Sequence, residues 1–250
     1  MAEAPSADAL ALASQLAHDF NNLFGILIGA STLVQEDLGN LQTQSSTLQL
    51  SEDLISAARE GAAAIEQLAI WAGGAQLTPV PTVLLDVLGG FERDIGARLP
   101  PSARLSIEPA AGISADTSLS LDQNALLQIL HQLGCNAIEA HQPLRGRFGE
   151  RDGLPVWIRI ACEIETLAGR QHLKLTIEDQ GFGMSADTLS RCISPFFSTR
   201  RRQGHHGLGL SVVDGYVRQM QGQLIIHSES ERGTRVTVSI PESGEPGVNG

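Results

Sequence analysis

The first seventy residues set the tightest limit on how this chain can fold. Leu12, Leu16, Phe20, Leu23, Leu27, Ala30, Val34 and Leu38 recur at steps of three and four, the spacing that lays one apolar stripe along an α-helix. A helix is therefore expected from about Asp8, which stands in an N-cap position, to Leu38. After the polar turn GNLQTQSS, a second stripe of Leu50, Leu54, Ala57, Gly61, Ile65 and Leu68 predicts a helix from about Leu48 to Trp71. Two long amphipathic helices on a short loop make an antiparallel hairpin. A lone hairpin leaves part of each stripe in water, and each buried Leu contributes on the order of 2 kcal/mol. Pairing with a second copy into a four-helix bundle covers both stripes, so a homodimer is expected.

The opposite face of the first helix is polar. His18 lies two residues from Leu16, roughly 200° around the helix, and so points away from the leucines. Asn22, one turn on, shares its face. Gly25 and Gly29 prolong a strip of small or polar groups there with Ser14, although each glycine costs a helix about 1 kcal/mol relative to Ala. For a lone histidine the plain reading is an incidental residue on a solvated face.

The stretch AGGAQLTPVPT, residues 72–82, is rich in Gly and Pro and reads as a linker. Beyond it the pattern changes. A helix from about Val83 to Arg98 precedes a strand, ARLSIEP, and a second helix, LDQNALLQILHQLGCNAIEA, with Asp122 near its start. HQPLRGRFGERDGLP reads as a loop, and VWIRIACEIE and HLKLTIEDQ as strands across the turn TLAGRQ. LSVVDGYVRQMQG reads as a helix ending at Gly222, and QLIIHSES and TRVTVSIP as strands across a turn containing ERG. Hairpins mixed with helices, without repeated βαβ units, predict an α+β sandwich of one sheet and a helical layer. The expected organisation is a helical hairpin over 8–71, the linker, an α/β sandwich domain over 83–241 and a disordered tail over 242–250.

Several classes of function drop out. With 28 acidic against 17 basic residues, a net charge of −11 argues against a general nucleic-acid binder. No apolar run approaches the ~20 residues of a membrane span, and the N-terminus lacks a basic region followed by a hydrophobic one. Neither membrane insertion nor export is expected. Cys135, Cys162 and Cys192 are odd in number, far apart and without a CxxC pair, which suits a reduced cytoplasmic setting better than a disulfide framework or a zinc site.

Four stretches of the second domain carry chemistry together. DQGFG, Asp179 to Gly183, follows a strand directly. Its glycines permit a close backbone approach to a ligand, and the Asp carboxylate can accept from an exocyclic amine such as that of adenine. Gly207 and Gly209 stand just before a helix, where free N–H groups and the helix dipole receive phosphate. Asn136, in LGCNAIEA, offers a carboxamide that can bind Mg²⁺ without adding charge. PFFSTRRR, Pro195 to Arg202, combines an apolar anchor with hydroxyls and three arginines, fitting a loop that folds over a polyphosphate.

The order of these stretches resembles the catalytic half of sensor histidine kinases, the GHKL ATP-binding fold shared with gyrase-type and heat-shock-chaperone ATPases. Asn136 matches the family's N box, DQGFGM its first glycine box, and SPFFSTR its F box. GLGLSVVDGYVRQMQGQLIIHSESERGTRVTVSIP matches its second glycine box together with the helix and strands after that box. The opening helix resembles the H box in the variant His-Asp-Phe-Asn-Asn. The resemblance covers about Asp8 to Pro241. It implies that His18 accepts a phosphoryl group from ATP, that Asp19 holds the ring or takes its proton, and that Asn22 orients water for dephosphorylating a partner. It also implies that Gln132, Asn136, Asp179, Gly181, Gly183, Thr199, Arg200, Gly207, Leu208 and Gly209 bind ATP, with Mg²⁺ on Asn136. Its implied partners are a second copy of the chain, a response-regulator receiver domain and a separate sensory input partner.

The match has departures. Gln132 stands where the family has a first Asn, His205 and His206 replace Gly-Thr, Ser194 replaces an acid and Arg200 a lysine. Two rival readings stand beside a protein-histidine kinase. One is a histidine phosphotransferase with a decayed nucleotide domain; the other is a GHKL ATPase or binding module that is not a kinase.

Overall fold

A computed structural model of the protein describes residues 20, 24, 25, 27–29, 31–34, 45–101, 103–141, 156–199 and 207–244. His18, Asp19, Asn22, Arg200, His205 and His206 lie outside the described residues. The described positions between 20 and 34 are helical, and α1 (Ser45–Trp71) packs on them. The approach is closest at Gly61, where a Cβ would lie 2.5 Å from Phe24 Cζ. Gly25 and Gly29 have open space around them instead.

The face that α1 turns inward differs from expectation. Ile55 and Ala58 are buried, whereas Leu54 of the expected stripe is 60% exposed and Ala57 is exposed. The face buried within one chain is thus offset by roughly one residue from the expected stripe. Phe20, Leu27 and Val34 are likewise exposed, while Phe24, Ile28 and Ser31 are half-buried.

α1 ends in a Schellman motif. Gly73, at φ +96°, lets Gly74 N donate to Ala69 O and Gly73 N to Ile70 O. The segment read as linker then runs into β1 (Val80–Val83), which pairs antiparallel with β3 (Ser118–Leu121), Val80 opposite Leu121. Neither strand is legible in the sequence. Each has only four residues, β1 contains Pro81, and Leu121 reads as the start of the next helix.

The main sheet has five strands in the order β2 (Arg104–Pro109), β4 (Trp157–Leu167), β5 (Arg170–Asp179), β7 (Gly233–Pro241) and β6 (Gln223–Glu229). β2 runs parallel to β4, and the other pairs are antiparallel. β4 and β5 extend into the expected turn until only Ala168 and Gly169 remain between them, both at positive φ. A two-residue loop of that kind matches the twist of the strands it joins. α2 (Leu84–Gly96), α3 (Gln123–Ala140) and α5 (Gly209–Gln219) lie on one face of the sheet. Phe91, Ile95, Ile129, Leu130, Ile160, Val213, Val238 and Ile240 fill the core between the layers with essentially no exposure. A short helix absent from the sequence reading, α4 (Ala186–Arg191), starts at Ser185, whose Oγ accepts from Thr188 N.

The opposite face of the sheet meets water and is laced with charge. Arg159 bridges Glu108 and Glu178, and Glu178 also accepts from Arg235. The Arg159 guanidinium holds the Glu108 carboxyl below the usual carboxylate range. The tail reading fails for its first two residues. Glu242 N donates to Gln171 O, Glu242 Oε1 accepts from Ser120 N and Ser243 N donates to Ser120 O. Among the described residues no helix is long and apolar enough to cross a membrane.

Candidate functional site

α3 is built to hold its polar residues still. Asp122 Oδ1 caps its first turn by accepting from Ala125 N, while Oδ2 accepts from Thr78 N. Leu126, Ile129, Leu130, Leu133 and Ala137 anchor the helix in the core, leaving Gln132 and Asn136 on the side that faces α5. There they meet the start of α5. A Cβ on Gly209 would lie 3.0 Å from Gln132 Oε1 and 3.4 Å from Asn136 Oδ1, so glycine is what allows the helix to begin so near two carboxamides.

These groups border a cavity of about 360 Å³. Its polar wall holds Gln132, Asn136, Asp179, Thr199, Gly207, Leu208 and Gly209; Gly183 also borders it, and Leu133, Ala137, Ile177, Met184 and Val236 supply apolar surface. Gly181 is not among the lining residues. Two features point to an anionic ligand. Leu208, the N-cap of α5, gives no side-chain cap among the described residues, leaving first-turn N–H groups for a ligand. Asn136 Nδ2 is buried without a hydrogen-bond partner among the described residues, and a buried donor left unpaired costs about 1–3 kcal/mol.

The glycines of DQGFG act differently from the sequence reading. They admit neighbouring backbone. A Cβ at Gly181 would lie 2.6 Å from Ala140 O. At Gly183, with φ +62°, it would run into Glu229 O. The loop is tied down by Phe182 N to Ala140 O (2.9 Å) and Glu231 N to Phe182 O (2.7 Å). Met184 N also donates to Ser228 Oγ. Asp179, at the end of β5, accepts from Gly181 N at 2.8 Å. On the far side, Arg191 stacks on the Phe197 ring at 4.5 Å. Gly207, at φ +71°, returns the chain to within contact of Phe197 O.

Thr234, Cys135 and Gln67 are among the lining residues that escaped the sequence reading. Thr234 faces Asp179 across the β5–β7 ladder, and the alternation of TRVTVSIP placed Thr234 and Val236 on one side. Cys135 precedes Asn136 on α3, and its Sγ accepts from Arg98 Nη1 at 3.4 Å. Gln67 comes from the hairpin helix α1, and no local pattern ties it to a cavity built by the other domain. Burial pushes the Cys192 thiol up to about 11 and the Cys162 thiol up to about 12. A thiol reagent at about neutral pH is therefore expected to modify half-exposed Cys135 and spare the other two. A ligand filling the cavity should protect Cys135. Mass spectrometry of the alkylated peptides checks both points.

A mixed sheet with a helical layer over one face, and a phosphate-type helix start between two carboxamides, define a nucleotide-binding α+β module. Residues 121–244 match the family model described as histidine kinase-, DNA gyrase B-, and HSP90-like ATPase. The chain is 26% identical over 231 residues to the sensor kinase CckA of Brucella abortus, a match over 92% of this chain and 24% of that protein. It is 38% identical over 128 residues to an uncharacterized sensor-like histidine kinase of Rhizobium meliloti, covering 49% of this chain and 21% of that one. The fold matches the crystal structure of full-length ShkA in complex with AMPPNP, with a TM-score of 0.67 at 16% identity, over 94% of this chain and 47% of that one. Residues 121–244 thus match the histidine kinase-, DNA gyrase B-, and HSP90-like ATPase domain, and the chain as a whole is similar to sensor histidine kinases. It spans about a quarter of the length of these curated relatives, or less.

Proposed function

We propose that the chain is a two-component protein-histidine kinase. It transfers the γ-phosphoryl group of ATP to His18 and then to an aspartate of a response-regulator receiver domain. The observation that carries this reading is the unpartnered Nδ2 of Asn136 beside the uncapped start of α5, an arrangement made for phosphate oxygens. Ile177, Met184 and Val236 give an apolar slot for the base, and Asp179 accepts from its amine. The carboxamide oxygens of Asn136 and Gln132 would hold Mg²⁺, which supplies neutralising charge to the phosphates.

In the reaction a ring nitrogen of neutral His18 attacks the γ-phosphorus, the bond to the bridging oxygen breaks, and ADP leaves with that electron pair. Asp19 orients the imidazole and takes its proton. Thr199, Arg200 and the Gly207–Gly209 turn close over the charge, since phosphoryl transfer needs mainly positioning and electrostatic stabilisation. The receiver carboxylate then attacks the same phosphorus, and the N–P bond breaks. Asn22 serves the reverse task, orienting water against the phosphorylated receiver. The protein works as a homodimer in the cytoplasm, with Phe20, Leu27, Val34 and Leu54, exposed in one copy, covered by the second.

Incubation with γ-labelled ATP and Mg²⁺ tests the reading. The expected product is an acid-labile, base-stable phosphate on the chain; ATP binding without such a product defeats it. Asp179→Asn keeps an oxygen to accept from Gly181 N but puts an NH₂ donor where the base amine needs an acceptor. A charged hydrogen bond of about 2–3 kcal/mol is lost, so titration should show a Kd raised on the order of 50-fold.

A further inference from the structure

α5 touches both halves of the protein. Its first residue meets Gln132 and Asn136 in the nucleotide cavity, and its last turn, roughly 16 Å away along the axis, grips the end of α1. Arg218 Nη2 donates to Trp71 O at 2.7 Å, and its Nε is held by Asp214 Oδ2 at 2.8 Å. Gln219 Nε2 donates to Ile70 O at 2.7 Å, while its Oε1 accepts from Ala75 N at 2.9 Å. Arg218 thereby satisfies a carbonyl that the helix end leaves open, while Ile70 O accepts from both Gln219 and Gly73 N. Between the two ends, Gly215 lets the helices meet; a Cβ there would lie 2.7 Å from Ile70 O and from Trp71 Cα. About one turn before this grip, Gln67 of α1 lines the nucleotide cavity.

We infer that the last turn of α5 is a clamp that seats the hairpin against the nucleotide cavity. Arg218 and Gln219 act as positioning residues for phosphoryl transfer, and Gln67 is the hairpin's contribution to the cavity wall. The role in transfer rests on the kinase reading above. The clamp itself rests on the contacts. Because one rigid helix joins clamp and phosphate end, nucleotide and clamp stabilise each other, and linkage makes the effect reciprocal.

Three variants of the full chain test this: Arg218→Ala with Gln219→Ala, Gly215→Ala, and Arg218→Lys. Ala inside a helix strengthens it, so Gly215→Ala keeps α5 intact while its methyl wedges α1 away. In the wild type, AMPPNP should slow amide exchange over residues 72–79, where Ala75 N–H reports the clamp directly. In the double variant and Gly215→Ala that exchange should be fast and indifferent to AMPPNP. Their AMPPNP affinity should fall by the same factor by which AMPPNP slows that exchange in the wild type, and their phosphorylation of His18 at saturating ATP should fall on the order of 100-fold, as misplacement by about an ångström does. Arg218→Lys retains a donor for Trp71 O and should keep its rate within roughly threefold of wild type. Wild-type phosphorylation in the wedged and double variants, or exchange over 72–79 that ignores AMPPNP in the wild type, overturns the inference. A wild type that takes no phosphate from ATP defeats the kinase reading instead, and exchange at Ala75 still decides the clamp.

Discussion

His18→Gln is expected to abolish transfer of phosphate from ATP to the chain, by about four orders of magnitude or more, while AMPPNP binds as in the wild type. The carboxamide has no nucleophilic lone pair to replace that of a neutral imidazole. Glutamine is a good helix former, so the hairpin keeps its shape. The described walls of the nucleotide cavity come from α3, β5, β7, α5, the segment between Gly183 and Thr199, and one hairpin residue, Gln67, so affinity should not move. Phosphate that still appears on the chain, mapped to His205, His206 or any other residue, would remove His18 from the mechanism.

Gly183→Ala is expected to cost about 3–5 kcal/mol of stability. Placing Ala at φ +62° contributes about 1–2 kcal/mol. The new methyl also drives into Glu229 O, so the loop must release bonds such as Glu231 N to Phe182 O and Met184 N to Ser228 Oγ. Each lost bond adds roughly 1 kcal/mol. For a chain of this size the sum lowers Tm by about 10 °C. Gly169→Ala is the control, since it shares the positive φ but its Cβ has open space; about 1 kcal/mol is expected. Equal losses in the two variants, measured by thermal unfolding, would mean that conformational strain alone governs both.

The contrast between those glycines shows what a sequence can and cannot carry. Long periodic elements were legible because their pattern repeats: α3 shows its stripe from Ala125 to Ala137, and β4 and β5 alternate inward Ile158, Ile160, Leu173 and Leu175 with outward polar residues. Asn136, Asp179, Gly207 and Gly209 were readable from their chemistry at or near the ends of strands and helices, whereas Gln132 and Leu208 came only from the resemblance to histidine kinases. What stayed hidden was set by distant chain. Gly183 borders the cavity, yet what its missing side chain makes room for is a carbonyl 46 residues on. The face of α1 depends on which surface covers it, and local periodicity does not say whether that is Phe24 or a second copy. Gln67, Arg218 and Gln219 matter through a contact between domains that no window of residues contains.

Ser120 waits for partners that lie 122 positions later in the chain. The strap formed by Glu242 and Ser243 is the last stitch of β3, and β3 leads straight into Asp122, the cap of the helix that carries Gln132 and Asn136. The small sheet is thereby tied, through Ser120, to the chain just beyond β7. A protease cut between Pro241 and Ser243, remote from the cavity in sequence, should be felt first as a looser grip on phosphate.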